Sequence, residues 1–242
     1  MRKYISVIIL AARSTAGWIL AIITASAAVE FALLVRIMKR YEGAVPESPE
    51  GMVTQSRIGL VAAVAFVLLC GILCLYGSDL RGGKPGLTVR RLSISEGKTV
   101  ALWSLYNTSC FIILWGVQLV ICLGFCKYYA AYVAPEYINE QTFMLSFYHQ
   151  KFLHSLLPLE ETSRLIRNIT LALGLGVTSA LFHYRQRRGQ KSIAVIFLTS
   201  DTVFLFARPM GEFGMDLFIS ALTVAITCAA VYTAREARNA ED

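Results

Sequence analysis

Long apolar blocks, separated by short polar segments, constrain the fold of this 242-residue chain more than any other feature of its sequence. A helix needs about 20 mostly apolar residues to cross a membrane, and each block approaches that length. Hydrophobic residues make up 56% of the chain and charged residues 16%, which leaves too much apolar surface for a water-soluble globule to bury. The sequence therefore predicts a single-domain, all-α, polytopic membrane protein with six transmembrane helices. The predicted spans are about 16–35, 58–76, 99–126, 169–183, 192–207 and 215–233.

The N-terminus has the charged start and apolar run of a signal peptide, but Arg13 interrupts the run and a full span follows at once. Residues 2–14 are therefore predicted to form an amphipathic interfacial helix before the first span. A cleaved signal peptide is the alternative.

Lysines and arginines predict the orientation in the membrane. With the N-terminus inside, fourteen of the 23 basic residues lie on cytoplasmic segments and nine lie outside. This excess favours an N-in, C-in topology. Because the net charge of +7 is distributed in this way, it does not imply a nucleic-acid partner.

A short basic segment precedes the third predicted span. The glycines and proline of GSDLRGGKPG end the second helix. Ser93 and Glu96 then fit a capping box, which predicts a new helix beginning near Ile94. The segment between these two signals is residues 87–92, predicted to lie at the cytoplasmic surface.

Two interpretations of residues 87–92 stay open. In one, the segment is a solvated loop whose arginines contact lipid headgroups. In the other, it docks a cytoplasmic protein, with Leu87, Val89 and Leu92 as apolar anchors and Arg90 and Arg91 as polar contacts.

The stretch TVRRLSISEGKTVALWSLYNTSCFIILWGVQLVI, residues 88–121, resembles the corresponding part of bacterial ABC-2-type transporter permeases. The resemblance implies six spans, both termini inside and an interfacial helix before the first span. It also implies that residues 87–92 form a coupling element, which touches a separate ATP-binding cassette subunit. The function it implies is that of the permease subunit of an exporter in the bacterial cytoplasmic membrane.

The same resemblance implies two protein partners in addition to membrane lipid. The chain contains no P-loop, since GGKPG fails the required spacing, so ATP would be bound by the partner ATPase and no cofactor is expected on this chain. A second permease chain, identical or different, would complete the pathway. One departure from the family is that the bulky outer segment, about 128–165, follows the third span and only RPMGEFG joins the fifth and sixth spans.

Two carboxylates fall within predicted spans, where an unpaired charge costs several kcal/mol. Asp201 lies in the fifth span, and Glu30 lies in the first. Each is a candidate for a polar pathway or an ion relay. The structural alternative pairs Asp201 with nearby hydroxyl groups or with Arg208, seven residues later, and places Glu30 near the outer interface before Arg36.

An intramembrane hydrolase is an alternative function, and an accessory or scaffold protein is another. Glu160 and Glu161, followed by Arg164, are similar to the EExxxR motif of CAAX-type proteases, although the arginine comes one residue early. His149 or His154 would complete such a site, but their spacing is not that of a zinc-binding helix. The simpler interpretation is an amphipathic outer helix lying on the membrane, ended by Pro158, with no catalytic residue and no metal.

Overall fold

In a computed structural model, the part of the chain that the structure describes folds entirely into helices. Nine α-helices and one short 3-10 helix are present in that part. The described residues are 2–41, 47–75, 95–139, 141–186, 192–209 and 211–239. The helices are α1 (Arg2–Arg40), α2 (Pro49–Ser56), α3 (Ile58–Leu75), α4 (Glu96–Tyr132), the 3-10 helix (Pro135–Tyr137), α5 (Thr142–His149), α6 (Lys151–Leu156), α7 (Thr162–Gln186), α8 (Ala194–Leu205) and α9 (Phe213–Asn239).

Five helices, α1, α3, α4, α7 and α9, are long and apolar enough to cross a membrane. This confirms the prediction of an all-α, multi-pass membrane protein. The fifth predicted span, 192–207, forms only the 12-residue helix α8. At about 1.5 Å per residue α8 is about 18 Å long, which is shorter than the roughly 30 Å hydrocarbon core of a bilayer.

The outer surface of the bundle is apolar. Leu20 on α1 is 64% exposed, Val120 on α4 is 67% exposed and Phe204 on α8 is 80% exposed. Large apolar side chains on the outside and packed side chains within are what a helix bundle in lipid requires.

Three layers of buried side chains stack along the bundle. The terminal-end layer lies where α1 begins, the middle layer lies halfway along, and the loop-end layer lies beneath α2, α5 and α6. The terminal-end layer contains Val7, Ala11, Trp103, Ala180 and Ala230; the middle layer contains Ile19, Leu69, Phe111, Leu175 and Leu198; the loop-end layer contains Leu34, Met52, Phe125, Phe152 and Leu156.

The chain passes through these layers in alternating directions. Helix α1 runs from the terminal-end layer to the loop-end layer, α3 returns, α4 goes out again and α7 returns. Helix α8 is short, yet Ala194 at its start packs in the terminal-end layer and Phe206, just past its end, packs in the loop-end layer. The first turns of α1 and the last turns of α9 therefore lie at the same end of the bundle.

Two predictions about segments beside the membrane are corrected by the packing. Residues 2–14 are helical, but they continue without a break into the first span as part of α1, so no separate interfacial helix is formed. The outer segment 128–165 is not one amphipathic helix on the lipid surface. It contains the last turn of α4 and the whole of the short helices α5 and α6. Phe147 and Phe152 are buried in the loop-end layer because they cover the ends of the long helices.

Two glycines on α7 allow this helix to pack closely against α9 on one side and α4 on the other. A Cβ atom on Gly174 would lie 2.7 Å from the Cγ2 atom of Thr223 on α9. A Cβ atom on Gly176 would clash with the hydroxyl of Thr108 and lie 2.9 Å from the backbone nitrogen of Thr108 on α4. Small residues permit this approach, so α7 serves as the central packing element of the bundle.

Replacing Gly176 with Ala is therefore expected to destabilise the protein by about 1–3 kcal/mol, the usual cost of overpacking a close contact. The matched control is Gly116→Ala on α4, where a Cβ atom would meet no atom within 4 Å. Thermal unfolding of the detergent-solubilised variants measures the difference. Equal melting temperatures for the two variants would contradict the close packing of α7 against α4.

Candidate functional site

The predicted docking residues Leu87, Val89, Arg90, Arg91 and Leu92 lie outside the described residues, so their docking role stays a prediction. The helix that follows them is described.

Helix α4 begins at Glu96, with Ser95 at the N-cap position and no side-chain hydrogen bond from it. Glu96 is thus the first helical residue and not the third, the position that a capping box needs. The predicted box between Ser93 and Glu96 is out of register, and Ser93 lies outside the described residues.

The N-terminal turns of α1 and α4 pack together at the terminal end of the bundle. Val7 and Ala11 are buried against Trp103. The hydroxyls of Thr15 and Tyr106 lie 2.7 Å apart, which joins the same two helices one level deeper. At about 1.5 Å per residue, the 39 residues of α1 and the 37 of α4 span about 58 and 55 Å, well beyond the hydrocarbon core. The two helices therefore have enough length to project from the membrane side by side.

Glu30 is buried between α1 and α4 and not at an interface. The Nε2 group of Gln118 donates a hydrogen bond of 3.0 Å to Glu30 Oε1, and the glutamate is fully buried. Among the described residues, neither Glu30 Oε2 nor Gln118 Oε1 has a hydrogen-bond partner. No described cation pairs with the carboxyl group, so this polar pair is a site where a charge would be costly.

Asp201 does not form the pairing with Arg208 that its spacing suggested. Arg208 lies past the end of α8 at Leu205, which removes the two residues from one helical face. Arg208 pairs instead with Glu212, at 2.7 Å between Nε and Oε2. Asp201 is half-buried and makes no hydrogen bond or ion pair with a described residue.

Of the four residues of the hydrolase alternative, the described contacts join only His154 and Glu161. Exposed His149 lies 3.5 Å from Glu50, while buried His154 lies 3.2 Å from Glu161. Glu160 accepts a hydrogen bond from the hydroxyl of Tyr148. Among the described residues, no group of three histidines, cysteines or carboxylates is placed to hold a metal ion. Of the residues proposed for this alternative, the structure thus brings His154 and Glu161 together.

A buried arginine cluster, made of Glu161, Arg164, Arg167 and Asp216, lies at the loop end of the bundle. Both arginines and Asp216 are fully buried. Arg167 Nη1 lies 2.8 Å from Asp216 Oδ1, and Arg164 Nε lies 3.4 Å from Asp216 Oδ2. Arg164 also lies 2.9 Å from Glu161. Two cations thus face two carboxylates, which balances the charge that burial would otherwise make costly.

The two guanidinium groups also bind carbonyl oxygens at the end of α8 and in the connection just past it. Arg167 donates hydrogen bonds to the carbonyl oxygens of Leu205 and Phe206. Arg164 donates to those of Arg208, at 3.2 Å, and Pro209, at 2.6 Å. The last carbonyls of a helix have no partners within it, and cations near that end are favoured by the helix dipole. The arginine cluster therefore satisfies a helix terminus that stops short.

Two further contacts extend the cluster to neighbouring segments. Asn168 accepts hydrogen bonds from Arg167 and donates one of 2.7 Å to the carbonyl oxygen of Ser155 in α6. Glu161 accepts a hydrogen bond of 2.7 Å from the backbone nitrogen of Gly211. The cluster thus joins α6, α7, the end of α8 and the start of α9.

The environment of Glu161 lowers the pKa of its carboxyl group. Burial acts in the opposite direction and would raise the pKa, but the hydrogen bond from Gly211 and the nearby His154 and Arg164 outweigh it. Glu161 is therefore held in its ionised form beside the arginines.

Sequence reasoning missed the arginine cluster because Arg164 and Arg167 look like polar loop residues at the start of a weakly apolar span. Their three-residue spacing, which places both on one face of a helix, was the available signal. Their partner Asp216 lies 49 residues beyond Arg167 and could not be assigned from the sequence.

A cavity of about 630 Å³ lies between α3, α4, α7 and α8. It reaches from the loop end, beside Arg57 and Gln150, to the middle layer, beside Phe66 and Leu175. Its wall is mostly apolar. A cavity of this size falls in the range of about 300–1,000 Å³ that is common for ligand sites.

No family model matches this chain, and no curated protein or solved structure matches it. The fold and its buried polar groups define the class only as an all-α, multi-pass membrane protein.

Replacing Arg167 with Met is expected to destabilise the protein by about 3–5 kcal/mol, because it removes one partner of a buried ion pair and two donors to the end of α8. Arg36→Met is the matched control, since Arg36 is exposed, and it should change stability by less than about 0.5 kcal/mol. Thermal unfolding in detergent compares them. Similar melting temperatures would show that the arginine cluster does not hold α8.

Lowering the pH is expected to weaken the arginine cluster through Glu161. Because the folded-state pKa lies below the ordinary value of 4.5, the stabilisation is fully present above pH 4.5 and is lost as the pH falls through the lower folded value. Glu161→Gln should lose this part of the pH dependence of the melting temperature. Parallel curves for the parent and Glu161→Gln below pH 4.5 would rule the mechanism out.

Proposed function

We propose that this chain is the membrane-spanning permease subunit of an ABC-2-like exporter, energised by a separate ATP-binding cassette subunit. The observation that carries the proposal is the pair of long helices α1 and α4, whose N-terminal turns pack together at the terminal end of the bundle. A transport subunit needs a rigid element that carries movement from a cytoplasmic ATPase into the membrane. These two helices supply such an element.

The proposed topology has six crossings with both termini inside. Helix α8 supplies the sixth crossing, since the chain from Ala194 to Phe206 passes all three packing layers although the helix itself is short. The arginine cluster compensates for the shortness by binding the carbonyls at its end. The excess of basic residues at the terminal end favours the cytoplasm for that side.

The proposed docking element, residues 87–92, precedes in sequence the N-terminal turns of α4, which pack against those of α1. Only a few residues separate Leu92 from the start of α4 at Glu96. A force applied to residues 87–92 would therefore be transmitted directly to α4. Helix α1 would receive it through the packing of Val7 and Ala11 against Trp103. This arrangement supports a coupling role over that of a solvated loop.

The proposed complex contains this chain, a second permease chain and an ATP-binding cassette subunit in the bacterial cytoplasmic membrane. This chain would bind no ATP, and the pathway would form between it and a second permease chain, identical or different. Glu30 and Asp201 are the intramembrane carboxylates on which a polar pathway would depend.

Purification from native membranes in mild detergent tests the proposal. The parent chain is expected to bring down an ATP-binding cassette protein, identified by mass spectrometry. Arg90→Glu combined with Arg91→Glu should reduce that protein at least about tenfold, since reversing two interface charges creates repulsion worth several kcal/mol.

The matched control is Arg36→Glu combined with Lys39→Glu, which reverses two exposed charges near the other end of α1. This variant should retain the ATPase. An ATPase that stays bound when Arg90 and Arg91 are reversed would refute the docking assignment. The parent's failure to bring down an ATP-binding cassette protein would refute the exporter proposal itself.

A further inference from the structure

The cavity between α3, α4, α7 and α8 opens toward the outside of the bundle. Leu60 on α3 and Phe204 on α8 both line it, and they are 62% and 80% exposed. Because these two side chains line the cavity and are also exposed on the outer surface of the bundle, the cavity opens between them. In a membrane, this opening between α3 and α8 faces lipid and not water.

Polar side chains on the wall are already engaged within the protein. Trp115 donates its Nε1 hydrogen bond to the carbonyl oxygen of Leu156, and Asn168 donates to that of Ser155. Gln118 donates to Glu30. Each of these side chains thus already donates a hydrogen bond within the protein, and most of the other wall residues are apolar. An occupant of this interior should be a hydrocarbon group and not a polar solute.

The depth of the cavity corresponds to one leaflet of a bilayer. Arg57 lies at the loop end, between α2 and α3, and Phe66 lies at the middle layer. Phe66 follows Arg57 by nine residues, which corresponds to about 13 Å at about 1.5 Å per residue. Half of the hydrocarbon core is about 15 Å, so the cavity runs from an interface to near the bilayer centre.

A cation stands at the interfacial end of the cavity. Arg57 is exposed, lines the cavity and forms no ion pair with a described residue. Its φ angle of 53° lies in the left-handed region, where glycine or asparagine is the residue that fits without strain. The chain thus places a long cationic side chain at a strained turn, the kind of position where strain accompanies function.

We propose that this cavity binds an anionic phospholipid from the surrounding leaflet, with one acyl chain between α3 and α8 and the phosphate at Arg57. The apolar wall, the opening toward lipid and the depth of one leaflet select the acyl chain. The cation at the mouth selects the anionic headgroup. The site goes beyond the proposed transport function, because it requires only that the bundle lies in a membrane.

Tryptophan fluorescence provides the test, because Trp115 lines the cavity. Trp18→Phe and Trp103→Phe leave Trp115 as the only tryptophan of the three in the chain. This version is placed in vesicles that contain either phosphatidylglycerol or phosphatidylcholine with brominated acyl chains, which quench tryptophan on contact. At low fractions of brominated lipid, quenching of Trp115 fluorescence should be about fivefold stronger with phosphatidylglycerol than with phosphatidylcholine. This is the ratio expected from one arginine near an anionic headgroup.

Three variants of the single-tryptophan protein separate the two parts of the site. Arg57→Gln should abolish the preference for phosphatidylglycerol, and Arg57→Lys should retain it. Ala63→Phe, which fills the cavity wall on α3, should reduce quenching by both lipids. Ala221→Phe is the matched control, because Ala221 is exposed on α9 and lies outside the cavity.

Equal quenching by the two lipids in the parent would overturn the headgroup assignment without any variant having to fold. A preference that survives Arg57→Gln would also overturn it. Quenching that is the same in Ala63→Phe and Ala221→Phe would show that Trp115 meets only the general lipid boundary, and the cavity would then not be a lipid site. None of these outcomes depends on an ATPase, so they leave the proposed transport function to its own test.

Discussion

Satisfying backbone polar groups in lipid is the constraint on which the rest of this structure depends. A continuous helix satisfies its own backbone within the hydrocarbon core, and five helices are long enough to do so. Helix α8 is the exception, since it stops at Leu205 and leaves its last carbonyl oxygens without helical partners. Arg167 donates to the carbonyl oxygens of Leu205 and the adjoining Phe206, and Arg164 donates to carbonyl oxygens of the connection that follows. The arginine cluster is therefore the means by which a short helix is tolerated in this bundle.

The two ends of the bundle differ because of how this constraint is met. At the loop end, Asp216 and Glu161 balance the buried arginines, and α2, α5 and α6 cover the layer that contains Phe152. At the terminal end no short helices from the described residues cover the layer, and α1 and α4 continue past it together. Under the proposed transport function, the partner protein would bind at the extended end. In the sequence, a basic segment directly precedes the start of α4 at this end.

The apolar blocks were sufficient to predict the class of fold, because lipid selects helices by length and composition alone. The boundaries were less accurate wherever charge entered a helix. Helix α7 was predicted to start at residue 169 but begins at Thr162, since Arg164 and Arg167 are tolerated in a span only through Asp216. Likewise Gln118, 88 residues from Glu30, donates to one oxygen of a carboxyl group that the sequence analysis placed near the outer interface. Local periodicity carries no information about such distant pairs. Residues 87–92 lie outside the described residues, and the docking role proposed for them rests on the sequence.

The thiol of Cys228 tests most directly whether lipid surrounds these helices. It is uncovered by protein on α9, whereas the other five cysteines are buried. In native membrane fragments whose two faces are both accessible to the reagent, a charged maleimide should leave Cys228 unlabelled. The same reagent should label Cys228 fully in denaturing detergent. A cysteine introduced at exposed Ser95 should react in both conditions. Rapid labelling of Cys228 in the membrane would place this face of α9 in water and contradict the account.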